Sequence, residues 1–468
     1  MVFSSVLFLF IFMPVTIGIY FILPKPAKNT WLFIMSFIFY AWGGMAYALL
    51  VLFSTIVNYI TGLLMDKQEG SKRKICLAAG VAYNLFILFF FKYFNFVVEN
   101  IKFVLGPAGN NINPPLIPLP IGISFFTFQI MSYIIDLYRK EIKVQKNFIN
   151  LGLYILLFPQ LIAGPIVRYI DVEEKISKRS VDLDSFSHGL KRFILGLGKK
   201  VIIANAMGEW ADIAFNDISR LSTPMAWLGI AAYTLQIFFD FSAYSDMAIG
   251  LGEIFGFHFL ENFNYPYGAV TIQDFWRKWH MSLTTWFRDY LYIPLGGNRK
   301  GAVRTYINNF IVFFMTGLWH GAAWNFILWG LFHGFFQIVE KTLFGKYIRK
   351  LPAVLGHIYT MLIVMVGWVL FRADTLGDAL KYCHYMFSYN IKDINIFFSV
   401  LDNWKIFVLV LAVLFSVPFA AKINTLPVIQ KHTTAKKYAD MVLYTMLFII
   451  SIMFVSGSSF NPFIYFRF

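Results

Sequence analysis

The stretch MTGLWHGAAWNFILWGLFHG, Met315 to Gly334, sets His320 inside one of the most apolar parts of the chain. An imidazole there is costly to bury unless its nitrogens are hydrogen-bonded internally or face a water- or substrate-filled passage. Working outward, the run lies between two basic segments, Arg299 to Arg304 and Lys341 to Lys350. If both stay in the cytoplasm, the residues between them must enter the membrane and return as a helical hairpin. His320 follows Arg304 by 16 positions, about 24 Å at the helical rise of 1.5 Å per residue, which sets it deep in the bilayer or near the far side. Gly317 and Gly321, four residues apart, let another helix or a substrate approach the backbone. The competing reading is a histidine satisfied by packing. On a continuous helix, His333 of the next WGLFHG falls on another face and reads as structural.

The composition agrees with an all-α integral membrane protein: of 468 residues, 58% are hydrophobic, 19% aromatic and 14% charged. Val2 to Leu23, Trp31 to Phe53, Trp404 to Ala420 and Met441 to Val455 are nearly charge-free and approach the roughly 20 residues that a helix needs to cross hydrocarbon. The first has no Lys or Arg before its apolar run and no small-residue cleavage site, the pattern of a retained helix rather than a signal peptide. The net charge of +15 sits in short loops: Lys67 to Lys74, Arg139 to Lys146, Arg299 to Arg304, Lys341 to Lys350 and Lys422 to Lys437. That distribution fits cytoplasmic loops of a positive-inside topology better than nucleic-acid binding. The two cysteines, Cys76 and Cys383, lack metal-like spacing, so neither a disulfide nor a cysteine-bound metal is expected.

No polar linker, fixed-period repeat or low-complexity tail divides the chain, so one membrane-embedded domain, 1–468, is the expectation. Gly106 to Pro120, GPAGNNINPPLIPLP, breaks helices through its own chemistry. Asp171 to Arg192 is the most polar region and reads as a cytoplasmic loop with short helices. LLFPQLIAGPIVRY, Leu156 to Tyr169, is apolar but interrupted by Pro159 and Gly164-Pro165. It reads either as a broken or re-entrant segment, a candidate funnel wall, or as a proline-kinked structural helix.

A second histidine, His280, lies in DFWRKWHMSLTTWFRDYLYIPLGGNRKG, Asp274 to Gly301. On a helical wheel Trp276, Trp279, Leu283, Trp286, Phe287 and Tyr290 fall within an arc of roughly 100°, opposite Arg277, Lys278 and Arg288. The expectation is an interfacial amphipathic helix, its aromatic stripe at headgroup level and its basic face suited to anionic lipid or a cytosolic anion such as a coenzyme. His280, at the stripe's edge, either points inward or is a boundary histidine at the lipid interface. In QIFFDFSAYSDMAIGLGEIFGF, Gln236 to Phe257, Asp246, Gly250 and Glu253 share a helical face, as do Gln236 and Asp240. Carboxylates in such surroundings pair with a cation or hydroxyl, orient a histidine, or line a proton path.

Taken in order, IGISFFTFQIMSYIIDLYR (Ile121 to Arg139), FPQLIAGPIVR (Phe158 to Arg168), FFDFSAYSDMAIGLGEIFGF, ENFNYPY (Glu261 to Tyr267), FWRKWHMSLTTWFRDYLYIPLGGNRKG and LWHGAAWNFILWGLFHG resemble the bacterial membrane-bound O-acyltransferases. The similarity is to the branch of alginate, cellulose and peptidoglycan O-acetyltransferase membrane subunits, and it spans Ile121 to Gly334. It implies a polytopic helical bundle with re-entrant segments around a transmembrane funnel. It further implies that His320, of the W-H-G motif, is the essential catalytic residue, and that His280, of W-H-x-S-L, is the second histidine near the tunnel. A related branch transfers D-alanine from a carrier protein to teichoic acid; YIPLGGNRKG, Tyr292 to Gly301, is more like the O-acetyl branch.

The functional expectation is therefore acyl transfer from a cytosolic thioester donor, acetyl-CoA, towards hydroxyls of an extracytoplasmic polysaccharide such as peptidoglycan or an exopolysaccharide. Imidazole suits the role of base because its ordinary pKa of about 6.5 leaves the neutral form available near neutral pH. His280, Arg288 and Arg299 are candidates for orienting the donor or its phosphates. No Ser or Cys nucleophile constellation is visible, so no covalent acyl-enzyme, tightly bound cofactor or metal is expected. The resemblance adds a bacterial cytoplasmic-membrane location and a separate SGNH-hydrolase-like partner outside it. D-alanyl transfer and a multi-spanning transporter are the alternatives, since a transporter also carries broken helices, intramembrane acids and buried histidines.

Overall fold

A computed structural model of the protein describes residues 1–162, 164–418, 433–457, 460 and 464. Among them there is helix and no strand, as the hydropathy pattern requires of a chain whose backbone must satisfy itself within lipid. Backbone contacts divide the chain into two units, Met1–Leu190 with Ala248–Leu260, and Lys191–Met247 with Glu261–Phe468.

The first unit carries α1 (Met13–Ile22), α2 (Lys25–Ala41), α3 (Met45–Asp66), α4 (Gly70–Leu88), α5 (Phe94–Leu105), α6 (Ile123–Arg139), α7 (Phe148–Leu156), the single turn α8 (Phe158–Leu161) and α9 (Tyr169–Ser177). Its core is a cluster of phenyl rings, with Phe8, Phe12 and Phe39 ringing Phe158 at centroid distances of 5.3 to 6.2 Å. Asn58 of α3 and Asn84 of α4 exchange amide hydrogen bonds at 3.1 and 2.7 Å, a polar clasp between two helices that are otherwise apolar. Leu156 to Tyr169 is broken, as its prolines foretell: α7 ends at Leu156, one turn follows, and Arg168 is extended before α9. Phe158, Gln160 and Leu161 are buried in protein, which is where irregular backbone is tolerated in such a chain.

Among the described residues, four helical stretches are long and apolar enough to cross a membrane: Met45–Asp66, Gly70–Asn111, Ala353–Arg372 and Lys437–Gly457; a pair bent by 83°, Ile394–Val400 with Asn403–Phe415, passes the same test together. Two of the four expected spans need correction. Trp31 to Phe53 is not one helix, because α2 stops at Ala41 and the chain turns through Gly44 at φ 147° before α3 begins. Val2 to Leu23 contains a shorter apolar helix, Phe8–Ile22. Met441 to Val455 lies inside a helix, Thr433–Gly457, whereas residues 419–420 of the Trp404 stretch and 422–432 of the last basic loop lie outside the described residues.

The second unit contains α11 (Asn205–Asn216), α13 (Ile272–Lys278), α14 (Met281–Phe287), α15 (Ala302–His320), α16 (Trp324–Val339), α17 (Leu343–Ile348), α18 (Ala353–Arg372), α19 (Leu376–Phe387), α20 (Ile394–Val400), α21 (Asn403–Phe415) and α22 (Thr433–Gly457). The division between units falls inside two further helices, α10 (Leu183–Gly198) and α12 (Thr223–Ile254). The expected hairpin is α15 and α16, joined by residues 321–323. Its two backbones touch: a Cβ on Gly317 would lie 2.5 Å from the Phe326 carbonyl oxygen, and one on Gly330 would collide with that of Phe313. The continuous helix expected to carry both His320 and His333 is therefore two helices, and the two rings sit on opposite arms.

The amphipathic helix expected over Asp274 to Tyr290 is broken as well. Trp279 is extended and His280 takes a left-handed conformation at φ 45°, between α13 and α14. The segment after Glu261 holds the break open. The Asn264 N–H donates to the Lys278 carbonyl and the Met281 N–H to the Asn262 carbonyl, both at 2.9 Å. The aromatic stripe is not a lipid belt either, since Trp276, Trp279 and Trp286 are only 6, 2 and 5% exposed within the protein alone.

Candidate functional site

His320 is the last residue of α15, where the hairpin turns, and its side chain is 4% exposed. Its ring meets Trp319, Trp329 and Phe371 nearly edge to face, at centroid distances of 5.0, 4.9 and 5.2 Å. With Phe241, Trp279, Trp368 and Phe371 it lines a cavity of about 10 Å³, the room that a single water needs. The passage expected at this ring is thus a small aromatic chamber in this conformation.

His280 approaches the same cluster from the α13–α14 break and is fully buried. Its ring stands perpendicular to Phe241 at 4.7 Å, and Trp319 lies 5.8 Å from it and 5.0 Å from His320. One indole therefore bridges the two histidines, and the reading of His280 as a boundary residue at the lipid interface is overturned. Its tautomer follows from its neighbours. Asn262 Oδ1 accepts from the Ser282 backbone N–H at 3.3 Å and from the Ser282 hydroxyl at 2.9 Å, so that atom must be the amide oxygen. His280 Nδ1, 3.1 Å from the same oxygen, must then donate. The neutral ring keeps a lone pair on Nε2, which has no hydrogen-bond partner among the described residues.

Asn262 is the residue that motif reading passed over, although ENFNYPY contains it. Substituting alanine leaves one imidazole N–H and two Ser282 donors without their acceptor, and should cost about 1–3 kcal/mol of stability. Thermal unfolding of the purified protein in detergent checks this, and an unchanged midpoint would contradict the assignment.

His333, read as structural, is wholly buried between Trp276 and Trp329, at ring distances of 5.2 and 5.3 Å. The α12 acids are paired. Asp240 meets Lys200 at 2.7 Å with both side chains nearly sealed, and also accepts the Ile464 N–H at 2.9 Å. Asp246 meets Arg192 and Lys199 at 3.1 and 2.7 Å. Glu253, in the first unit, meets His188 at 2.6 Å. These cations lay too far away in sequence to be assigned, as did Trp368 and Phe371, which α18 supplies to the chamber.

The two arginines part company. Arg288 forms an ion pair with Asp289 at 2.7 Å and lines a second cavity, of about 270 Å³. Arg299 is exposed in the loop before α15 and is not part of that lining.

Residues 124–373 match the family model described as MBOAT, membrane-bound O-acyltransferase family. Over its full length the chain is 39% identical to the whole of a Pseudomonas putida protein named probable alginate O-acetylase AlgI. It is 36% identical to the peptidoglycan O-acetyltransferase of Helicobacter pylori, over 81% of this chain and 79% of that one. The teichoic acid D-alanyltransferase of Bacillus subtilis is 30% identical over 54% of this chain and 68% of its own.

Proposed function

The chain belongs to the membrane-bound O-acyltransferase family, and from that premise we propose that it moves an acetyl group from cytosolic acetyl-CoA towards hydroxyls of an extracytoplasmic polysaccharide, with His320 as base. It is a membrane-embedded O-acyltransferase. Relatives that align over most or all of the chain bear O-acetyl names, whereas the D-alanyl relative aligns over about half, and this favours acetyl transfer. The observation that carries the reading is His320 at the hairpin tip, inside the family-matched region, walling a chamber, with His280 behind it across the Trp319 indole.

In the proposed step neutral His320 takes the acceptor's hydroxyl proton as its oxygen attacks the thioester carbonyl. The carbon–sulfur bond breaks and the proton passes to the leaving thiolate, giving an ester and free coenzyme thiol. The His280 Nε2 lone pair is a second proton acceptor, behind the chamber wall at Phe241. A space of about 10 Å³ holds a water and not an acetyl thioester, so the aromatic walls must part before donor and acceptor meet. Arg288 would face the donor's phosphates, with Arg299 as an outer contact. The acceptor is a wall or secreted glycan outside a bacterial cytoplasmic membrane, and a separate extracytoplasmic SGNH-hydrolase-like partner completes the transfer to it.

The test uses the purified full-length protein in detergent with acetyl-labelled acetyl-CoA and with peptidoglycan or mannuronate oligosaccharides, reading thiol release and label in the glycan. Turnover that needs both substrates supports the proposal. A protein inert towards acetyl-CoA but active on a D-alanyl carrier thioester would overturn it.

A further inference from the structure

The chamber beside His320 measures about 10 Å³, and its walls limit which acyl groups can sit there. Four aromatic walls brace one another. Trp368 lies 4.9 Å from Trp279, 6.0 Å from Trp329 and 5.5 Å from Phe371 between ring centroids, and Trp329 lies 5.0 Å from Phe371. A fifth, Phe241, meets Phe263 and His280 at 4.9 and 4.7 Å. Rings packed on two or more sides shift together, because a dense interior yields little to one side chain. Even when they part to admit a donor, the room left for an acyl tail is set by the aliphatic remainder of the lining, Ile237 and Ile464. Ile464 is tied by its backbone N–H to Asp240 at 2.9 Å. Ile237, on α12 and 3% exposed, is the aliphatic wall carried by a helix interior.

The lining contains no carboxylate among the described residues. The nearest acid along α12, Asp240, three residues after Ile237, is engaged by Lys200 at 2.7 Å and by the Ile464 N–H. An uncharged acyl group enters such surroundings without penalty, whereas an aminoacyl group brings an ammonium that the walls leave without a counter-charge. Length is penalised as well, since each methylene beyond the acetyl methyl must displace a packed wall. One methylene more or less in an apolar pocket changes kcat/KM by about 10–200-fold.

We infer that Ile237 sets the length of the acyl group this enzyme transfers, and that the carboxylate-free lining restricts it to uncharged acyl groups. The inference rests on the thioester-donor reading above and narrows it to short, neutral acyl chains.

The test compares kcat/KM for thiol release from acetyl-, butyryl-, isobutyryl- and D-alanyl-CoA in purified full-length protein supplied with a glycan acceptor. Isobutyryl and D-alanyl differ by a methyl exchanged for an ammonium, so this pair separates charge from size. The parent should favour acetyl over butyryl at least tenfold. Ile237→Ala should raise the butyryl-to-acetyl ratio at least tenfold and raise isobutyryl turnover, while D-alanyl turnover stays at the parental level. Ratios taken on one preparation cancel any loss of folded protein. Ile230→Ala makes the same deletion at a fully buried α12 position outside the lining, and should leave the ratios within twofold of the parent's. A parent that uses acetyl and butyryl equally, or an Ile237→Ala ratio that stays at the parental value or is matched by Ile230→Ala, overturns the assignment of Ile237. D-alanyl turnover that rises in step with isobutyryl overturns the charge restriction. A parent inert towards all four donors overturns the donor reading and this inference with it.

Discussion

His320→Ala is expected to lower acetyl transfer by about 10²–10⁴-fold, the usual contribution of a positioned general base. The variant removes a ring packed against three aromatic neighbours, so loss of activity alone would not separate chemistry from packing. His320→Gln does separate them. Glutamine keeps much of the volume and a hydrogen-bonding end group but accepts no proton near neutral pH. The account therefore predicts that Gln and Ala variants are equally inactive, while Gln retains the parent's unfolding midpoint. A glutamine variant with more than a tenth of parental turnover would return His320 to a packing role.

Lys200→Met should be the most damaging change away from the chamber. Lys200 and Asp240 are 4 and 2% exposed and lie 2.7 Å apart. Removing one partner strands a buried charge, at a cost of about 3–5 kcal/mol, whereas replacing both by apolar groups is often close to neutral. The expected order of unfolding midpoints in detergent is therefore parent, then Lys200→Met with Asp240→Leu just below it, then Lys200→Met alone far below. The damage should also reach the chamber, because Asp240 accepts the Ile464 N–H and Ile464, Ile237 and Phe241 line the cavity beside His320. A single variant as stable as the parent would show that the pair contributes little.

The hairpin and its histidine were legible because several signals agreed there: basic flanks, glycines at helical spacing, and one imidazole in an apolar run. The break near Pro159 was legible for a similar reason, since proline and Gly-Pro act locally. The break at His280 was not. Neither glycine nor proline marks it, and a left-handed histidine persists only because Asn262 and Asn264, many residues upstream, hold the two helix ends. The tryptophan stripe illustrates a second limit. A headgroup belt and a protein core draw on the same residues at the same spacing, and only tertiary packing decides between them. The missed turn at Gly43-Gly44 had a local signal, outweighed by the apolar character of the residues on either side.

Chemical rescue of His320→Ala tests the central claim most directly. Deleting the ring enlarges the chamber by the volume of an imidazole, and protein cavities of that kind admit molecules that match them. Purified His320→Ala protein is assayed for acetyl-CoA thiol release and glycan acetylation, with and without free imidazole, at pH values on both sides of about 6.5. The account predicts little turnover without imidazole, and turnover restored in proportion to the neutral imidazole present, rising with pH through that range. Parental turnover in the variant without imidazole would contradict it.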